Sequence, residues 1–268
     1  MIQYRLGRFA RGRPRIGLAE VRASFRAPKR EPVCLAYFAR PLANLMTPAF
    51  YNLGVSADQV IVLRLSIGLF ALLLLALGNI WISVAGLVAY SLAYVLDCVD
   101  GNLSRLDDQG NYWGKFIDGF VDDVVLFAAP FAIGIGLWAA SGSGTAMVIG
   151  GVASIVALLT GMARHRFSFV REWMVARTEP LSDSDTTKLE HFERLRDLPV
   201  RLVVNLYCFA PWLIVLPEGD WIYLGVMLAA GTAANLIWLA TVVGQASAVL
   251  RRERQAVHAG EPVSRPDQ

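Results

Sequence analysis

The chain has 268 residues, 55% of them hydrophobic, with a mean hydropathy of +0.47 and a formal net charge of +3. Apolar runs of about 20 residues, enough to cross a bilayer, recur along it; this excludes a soluble globular protein and leads us to expect an all-α integral membrane protein. Cys34, Cys98 and Cys208 are odd in number, scattered and without metal-type spacing, which argues against a disulfide framework or a zinc site.

Residues 1–48 carry ten Lys or Arg against Glu20 and Glu31, a local balance of +8 that leaves −5 for the remainder. Such an arm suits nucleic acid or anionic lipid. The membrane reading is preferred, because in residues 15–26 Leu18, Val21 and Phe25 fall at helical spacing while Arg15, Arg22 and Arg26 point elsewhere. An N-terminal interfacial amphipathic helix is therefore expected, and no nucleic-acid partner. A second amphipathic stretch, Val33 to Leu45, leads to Pro48. The first long apolar run begins near Val60, too far along for a cleavable signal, so the first span is expected to direct insertion itself.

Six transmembrane helices are expected, at about 60–77, 80–97, 115–139, 145–163, 200–216 and 221–243. The turns Gly78-Asn79 and Ser141 to Gly144 bear no charge, and Pro217 to Asp220 bears only acids. Basic residues gather on the other side, at Arg164, Arg166, Arg171, Arg177, Lys188, Arg194, Arg196 and Arg201, and at Arg251, Arg252 and Arg254. The positive-inside rule then puts both termini and the 98–114 and 164–200 loops in the cytoplasm. The expected organisation is a basic arm with interfacial helices (1–58), one six-span domain (59–250) and a disordered tail (251–268). Within the long loop, Leu189 to Leu195 reads as a short helix. Gly134, Gly136, Gly150, Gly151, Gly225, Ala229 and Ala233 permit close helix approach, and packing within one protomer is preferred to a dimer face.

The chemistry concentrates between the second and third spans. Asp97 and Asp100 are three residues apart, and Asp118 and Asp122 four apart, so each pair shares a helix face and the pairs oppose one another across a helical hairpin. Carboxylates at a hydrocarbon edge are costly to desolvate and suit a hard divalent ion such as magnesium. Gly101 and Gly114 are expected at the ends of the chain reversal, where a missing side chain frees the backbone or admits a ligand. Arg105 has two readings, a structural ion pair or a fork for a phosphate, and the acid cluster favours the second. Arg64 either snorkels to the interface or helps neutralise the acidic cleft. Asp107 and Asp108 read as solvated turn residues, and Asp123 points about 100° away from Asp122. Arg164, His165, Arg166 and Arg201 fit the positive-inside bias, and the arginines would also suit a phosphorylated acceptor.

Written out, Asp97-x2-Asp100-Gly101-x2-Ser104-Arg105-x8-Gly114-x3-Asp118-x3-Asp122 resembles the signature of the CDP-alcohol phosphotransferase (CDP-alcohol phosphatidyltransferase) family, D-x2-D-G-x2-A-R-x8-G-x3-D-x3-D. The one departure is Ser104, small enough to replace Ala. The resemblance implies that a CDP-linked lipid, such as CDP-diacylglycerol, gives its phosphatidyl or similar group to an acceptor alcohol with release of CMP. It further implies two magnesium or manganese ions held by Asp97, Asp100, Asp118 and Asp122, with Asp122 also the catalytic base. Gly101, Ser104, Arg105 and Gly114 would line the CDP pocket, and a homodimer is expected. Serine, glycerol phosphate, inositol phosphate, choline and a second lipid all remain open as acceptors. The rival class is a small cation or proton transporter, which explains the acids but not the glycines or Arg105. A purely structural role would need several buried ion pairs of doubtful net stability.

Overall fold

The computed structural model describes residues 15–25, 31–107, 112–175, 201 and 204–258, and among these no strand occurs. The long loop with its expected helix at Leu189 to Leu195, Asp108, and residues 259–268 of the expected tail lie outside the described residues. Among the described residues eight helices follow in order: α1 (Leu18–Ser24), α2 (Arg40–Asn52), α3 (Ala57–Ala76), α4 (Ile80–Leu106), α5 (Tyr112–Ser141), α6 (Gly144–Val175), α7 (Val204–Val215) and α8 (Gly219–His258). A short π turn, Leu35–Ala39, leads into α2, and α7 tightens to 3₁₀ geometry from Ala210. The last helix runs past Arg251, into the stretch read from sequence as a tail.

Local chemistry sets the boundaries. Ser56 caps α3 reciprocally with Gln59: the Gln59 backbone N–H donates to Ser56 Oγ (3.3 Å), and the Ser56 N–H to Gln59 Oε1 (3.0 Å). Asn79 Oδ1 accepts from the Trp81 and Ile82 N–H groups at the start of α4. Between those helices the chain turns through Gly78 at φ 69°, and a Cβ there would lie 2.5 Å from the Gly136 carbonyl oxygen, so glycine is required on both counts.

By length and composition α3, α4, most of α5 (Phe116–Ser141) and the first part of α8 (Gly219–Ile237) can cross a bilayer, while Gly144–Leu159 and Val204–Val215 are shorter apolar helices. Their outer faces carry exposed Phe70, Leu73, Ile155 and Leu236, whereas an arginine and several hydroxyls sit inside. Four such helices with apolar exteriors make an integral membrane protein.

Two apolar cores fill the bundle. One, with Leu72, Leu75, Leu87, Tyr90, Ile133, Tyr207, Tyr223 and Leu224, ties α3, α4, α5, α7 and α8. The other, with Ala39, Ala43, Val60, Leu96, Val99 and Leu103, clamps α2 and α3 onto the acid-bearing end of α4. Small residues pack within the protomer, as expected for Gly134, Gly136 and Gly150. A Cβ on Gly134 would meet the Gly150 Cα at 3.0 Å, and one on Gly136 the Leu75 carbonyl oxygen at 2.3 Å. A Cβ on Gly225 would meet no other element within 4 Å, so close packing does not require glycine there. Pro130 interrupts α5, and the neighbouring Phe131 N–H donates to Ser154 Oγ of α6 at 2.9 Å, which ties α6 to the interrupted turn.

Contrary to the sequence expectation, the chain does not reverse at Gly101: α4 continues through it to Leu106, with Asp107 as its C-cap. A helix-interior glycine costs only about 1 kcal/mol, and the burial of Asn102 and Leu103 holds the extra turns. Asp97, Asp100, Gly101, Ser104 and Arg105 thus share one rigid helix. Gly114 stands in the first turn of α5, four residues before Asp118.

Candidate active site

The apolar packing brings three helices together around the acids. Gly68 lies one turn beyond Arg64 on α3, and a Cβ there would fall 2.6 Å from Val125 Cγ2 of α5. This glycine lets α5 close onto α3 one turn from Asp122, which carries Asp118 and Asp122 against Arg64. Asp97 and Asp100 arrive from α4, adjacent to α3 through the turn at Gly78.

Arg64 is the hub. Its Nη1 pairs with Asp97 Oδ1, with Asp118 Oδ1 at 2.7 Å and with Asp100 Oδ2 at 3.1 Å. Its Nη2 donates to Asp122 Oδ1 at 2.7 Å and to the Asp118 backbone carbonyl at 3.0 Å. The Arg64 side chain is 2% exposed and Asp100 5%, whereas Asp97 is 28% exposed and Asp118 and Asp122 38% each. The cleft therefore has a dry floor and an open rim. Of the two sequence readings of Arg64, the neutralising one is observed and snorkelling is not.

All four motif carboxylates gather at this point, but not equivalently. Ligand oxygens of Asp97, Asp100 and Asp118 lie within 4.8 Å of one another. Asp122 joins them through the other nitrogen of Arg64. A magnesium ion takes oxygens at about 2.0–2.1 Å in an octahedron, so ligands on one ion stand up to about 4.2 Å apart. The three residues fit a hard divalent ion after an inward movement below 1 Å. Among the described residues the one guanidinium hydrogen-bonded to all four carboxylates is that of Arg64, and a cluster so rich in acid also suits added cations.

A second, basic corner adjoins the acids along α4. Arg105 donates through Nη2 to Asn102 Oδ1 at 2.6 Å, and its guanidinium lies 5.3 Å from the Phe25 ring centroid. A Cβ on Gly101 would stand 3.4 Å from Arg105 Nη1, an ordinary contact distance, so this glycine lies directly against the arginine within an unbent helix. Asn102 is fully buried and donates to Asn44 Oδ1 (3.1 Å) and Thr47 Oγ1 (3.0 Å) of α2. Arg40 stacks 3.7 Å over the same Phe25 ring and pairs with Glu31. Ser104 lies one turn beyond Asp100 on α4.

Sequence reading did not single out Gly68, Asn102, Asn44, Thr47 or the Phe25–Arg40 stack. The one signal available was polar spacing, since Arg40 and Asn44, within the stretch Val33 to Leu45 read as amphipathic, and Thr47 just beyond it recur at helical intervals. The side chains of Arg164, His165 and Arg166 lie outside the described set.

Comparison with curated proteins found no match. The sequence profile described as CDP-alcohol phosphatidyltransferase matches residues 55–244, from the turn before α3 into α8 and across every residue of the acid motif. With most of its length matched, the chain belongs to the CDP-alcohol phosphatidyltransferase family.

Proposed function

We propose that this protein moves a phosphatidyl or similar group from a CDP-alcohol, such as CDP-diacylglycerol, to an acceptor alcohol and releases CMP. The observation that carries this reading is the convergence of Asp97, Asp100, Asp118 and Asp122 on one point, with the basic corner of Arg105 beside it. Acids to gather cations next to an arginine left to an anion are what a pyrophosphate substrate requires.

Asp97, Asp100, Asp118 and Asp122 would hold two magnesium or manganese ions, whose chemistry is to neutralise the pyrophosphate and stabilise the departing CMP. Asp122, on the open rim, takes the proton from the acceptor hydroxyl. The acceptor oxygen then bonds to the lipid-side phosphorus as the bond from that phosphorus to the CMP oxygen breaks. Arg105 forks onto a phosphate, Gly101 and Gly114 keep the floor low, and Ser104 lines the pocket. The lipid tails lie between helices.

In this reading all six apolar segments span the membrane, with both termini and the acid cleft cytoplasmic. The basic arm, residues 1–58, rests α1 on anionic lipid ahead of a catalytic domain at 59–250, and the protein is a homodimer. The deciding test incubates purified protein with radiolabelled CDP-diacylglycerol, magnesium and a panel of alcohols. Magnesium-dependent CMP release with one acceptor supports the proposal. No release with any acceptor, together with metal-dependent ion flux in liposomes, would replace it with a transporter.

A further inference from the structure

Arg64 stands where a metal would. Three carboxylates, from Asp97, Asp100 and Asp118, converge on its Nη1, which carries only two protons. A guanidinium nitrogen cannot give each of them a full hydrogen bond, whereas a hard cation binds several oxygens at once. The same three residues present oxygens within 4.8 Å of one another, so an ion they shared would compete with Nη1 for these carboxylates. Both cations need the same lone pairs, and at a few ångströms they repel strongly in so dry a floor.

We propose that Arg64 is a tethered counter-cation that yields this point to a divalent ion. The inference rests on the metal-dependent reading above and adds to it an exchange of one charge for another. Nη2 has separate partners, Asp122 Oδ1 and the Asp118 carbonyl, so Nη1 can leave the three carboxylates while the guanidinium stays moored to α5. Until a divalent ion arrives, Arg64 restrains four carboxylates that would otherwise drive α4 and α5 apart. Its presence lowers metal affinity and raises stability without metal, and the two effects have one cause.

Mn2+ titration by electron paramagnetic resonance and thermal unfolding in chelator or in Mn2+ test this on wild type, Arg64→Met and Arg64→Gln. Removing one positive charge from the cluster is expected to tighten Mn2+ binding by about tenfold or more. Both variants should also unfold at lower temperature in chelator and regain more than wild type does on adding Mn2+. Unchanged or weaker Mn2+ binding in a folded variant overturns the exchange, because Arg64 would then be building the site. Should neither variant fold, wild-type protein carrying 15N-arginine decides: saturating Mg2+ should shift a slowly exchanging guanidinium resonance, and an unmoved spectrum overturns the proposal. Absence of Mn2+ binding to wild type would instead remove the metal-dependent reading, and the exchange with it.

Discussion

Arg64 and Arg105 flank the same acids and are used in opposite ways. Arg64 is 2% exposed and gives its donors to four carboxylates and one carbonyl. Arg105 is exposed, and among the described residues its partners are the Asn102 side chain and the Phe25 ring, both uncharged. A cation saturated by carboxylates belongs to the scaffold and offers little to an incoming phosphate. A cation held by a neutral amide and a ring keeps its charge and most of its five donors for an anion. The pattern of residue types marks both as basic, but only their neighbours separate the charge that organises the cleft from the one that can meet substrate.

The sharpest way to break this contrast is on the acid side. Asp122→Asn keeps shape and removes the proposed base, so kcat for CMP release should fall by about 10²–10⁴-fold, with far-UV circular dichroism unchanged. A loss confined to KM would place Asp122 in binding and overturn its assignment as base. Next in size is Arg105→Ala. Hydrogen bonds to charged groups contribute about 1.5–3 kcal/mol, so KM for the CDP-lipid should rise roughly 10- to 100-fold with a smaller change in kcat. Arg105→Lys should recover only part of it, because an ammonium cannot fork onto a phosphate. If Arg105→Ala instead lowers the unfolding temperature and leaves KM alone, Arg105 is scaffold like Arg64.

Much of this site was legible in the sequence because its information is local. Spacings of three and four fix which carboxylates share a helix face, and the two helices are consecutive, so Asp97, Asp100, Asp118 and Asp122 had to meet across a hairpin. The position of Arg64 was not legible, because it depends on α3 closing onto α5 through Gly68 and Val125, two residues with no chemical signature of their own. Gly101 misled for a related reason. Glycine marks a turn only where nothing else holds the helix, and here the burial of Asn102 and Leu103 against α2 carries α4 onward. The Phe25 stack is tertiary throughout, joining a ring on the basic arm to arginines from α2 and α4.

Smaller effects test how Arg105 is held. Asn102→Ala leaves Thr47 and Asn44 without their shared partner and Arg105 without its acceptor. An unsatisfied buried polar group costs about 1–3 kcal/mol, so the unfolding temperature should fall measurably, and KM for the CDP-lipid should rise by less than in Arg105→Ala.

Phe25→Ala is the smallest and most discriminating change. The ring lies 3.7 Å from the Arg40 guanidinium and 5.3 Å from that of Arg105, so it screens two like charges that would otherwise face one another across the corner. A cation–π contact at a partly exposed site is worth about 0.5–1 kcal/mol, which predicts a KM change of roughly two- to fivefold. Phe25→Leu separates the two contributions, since it keeps most of the apolar cover and removes the π face. If the ring acts through its face, Leu and Ala should raise KM alike. If it acts as a lid, Leu should behave as wild type and Ala alone should weaken binding. An unchanged KM in both, with only the unfolding temperature lowered, would mean that the basic arm buttresses α4 without touching the charge that Arg105 presents.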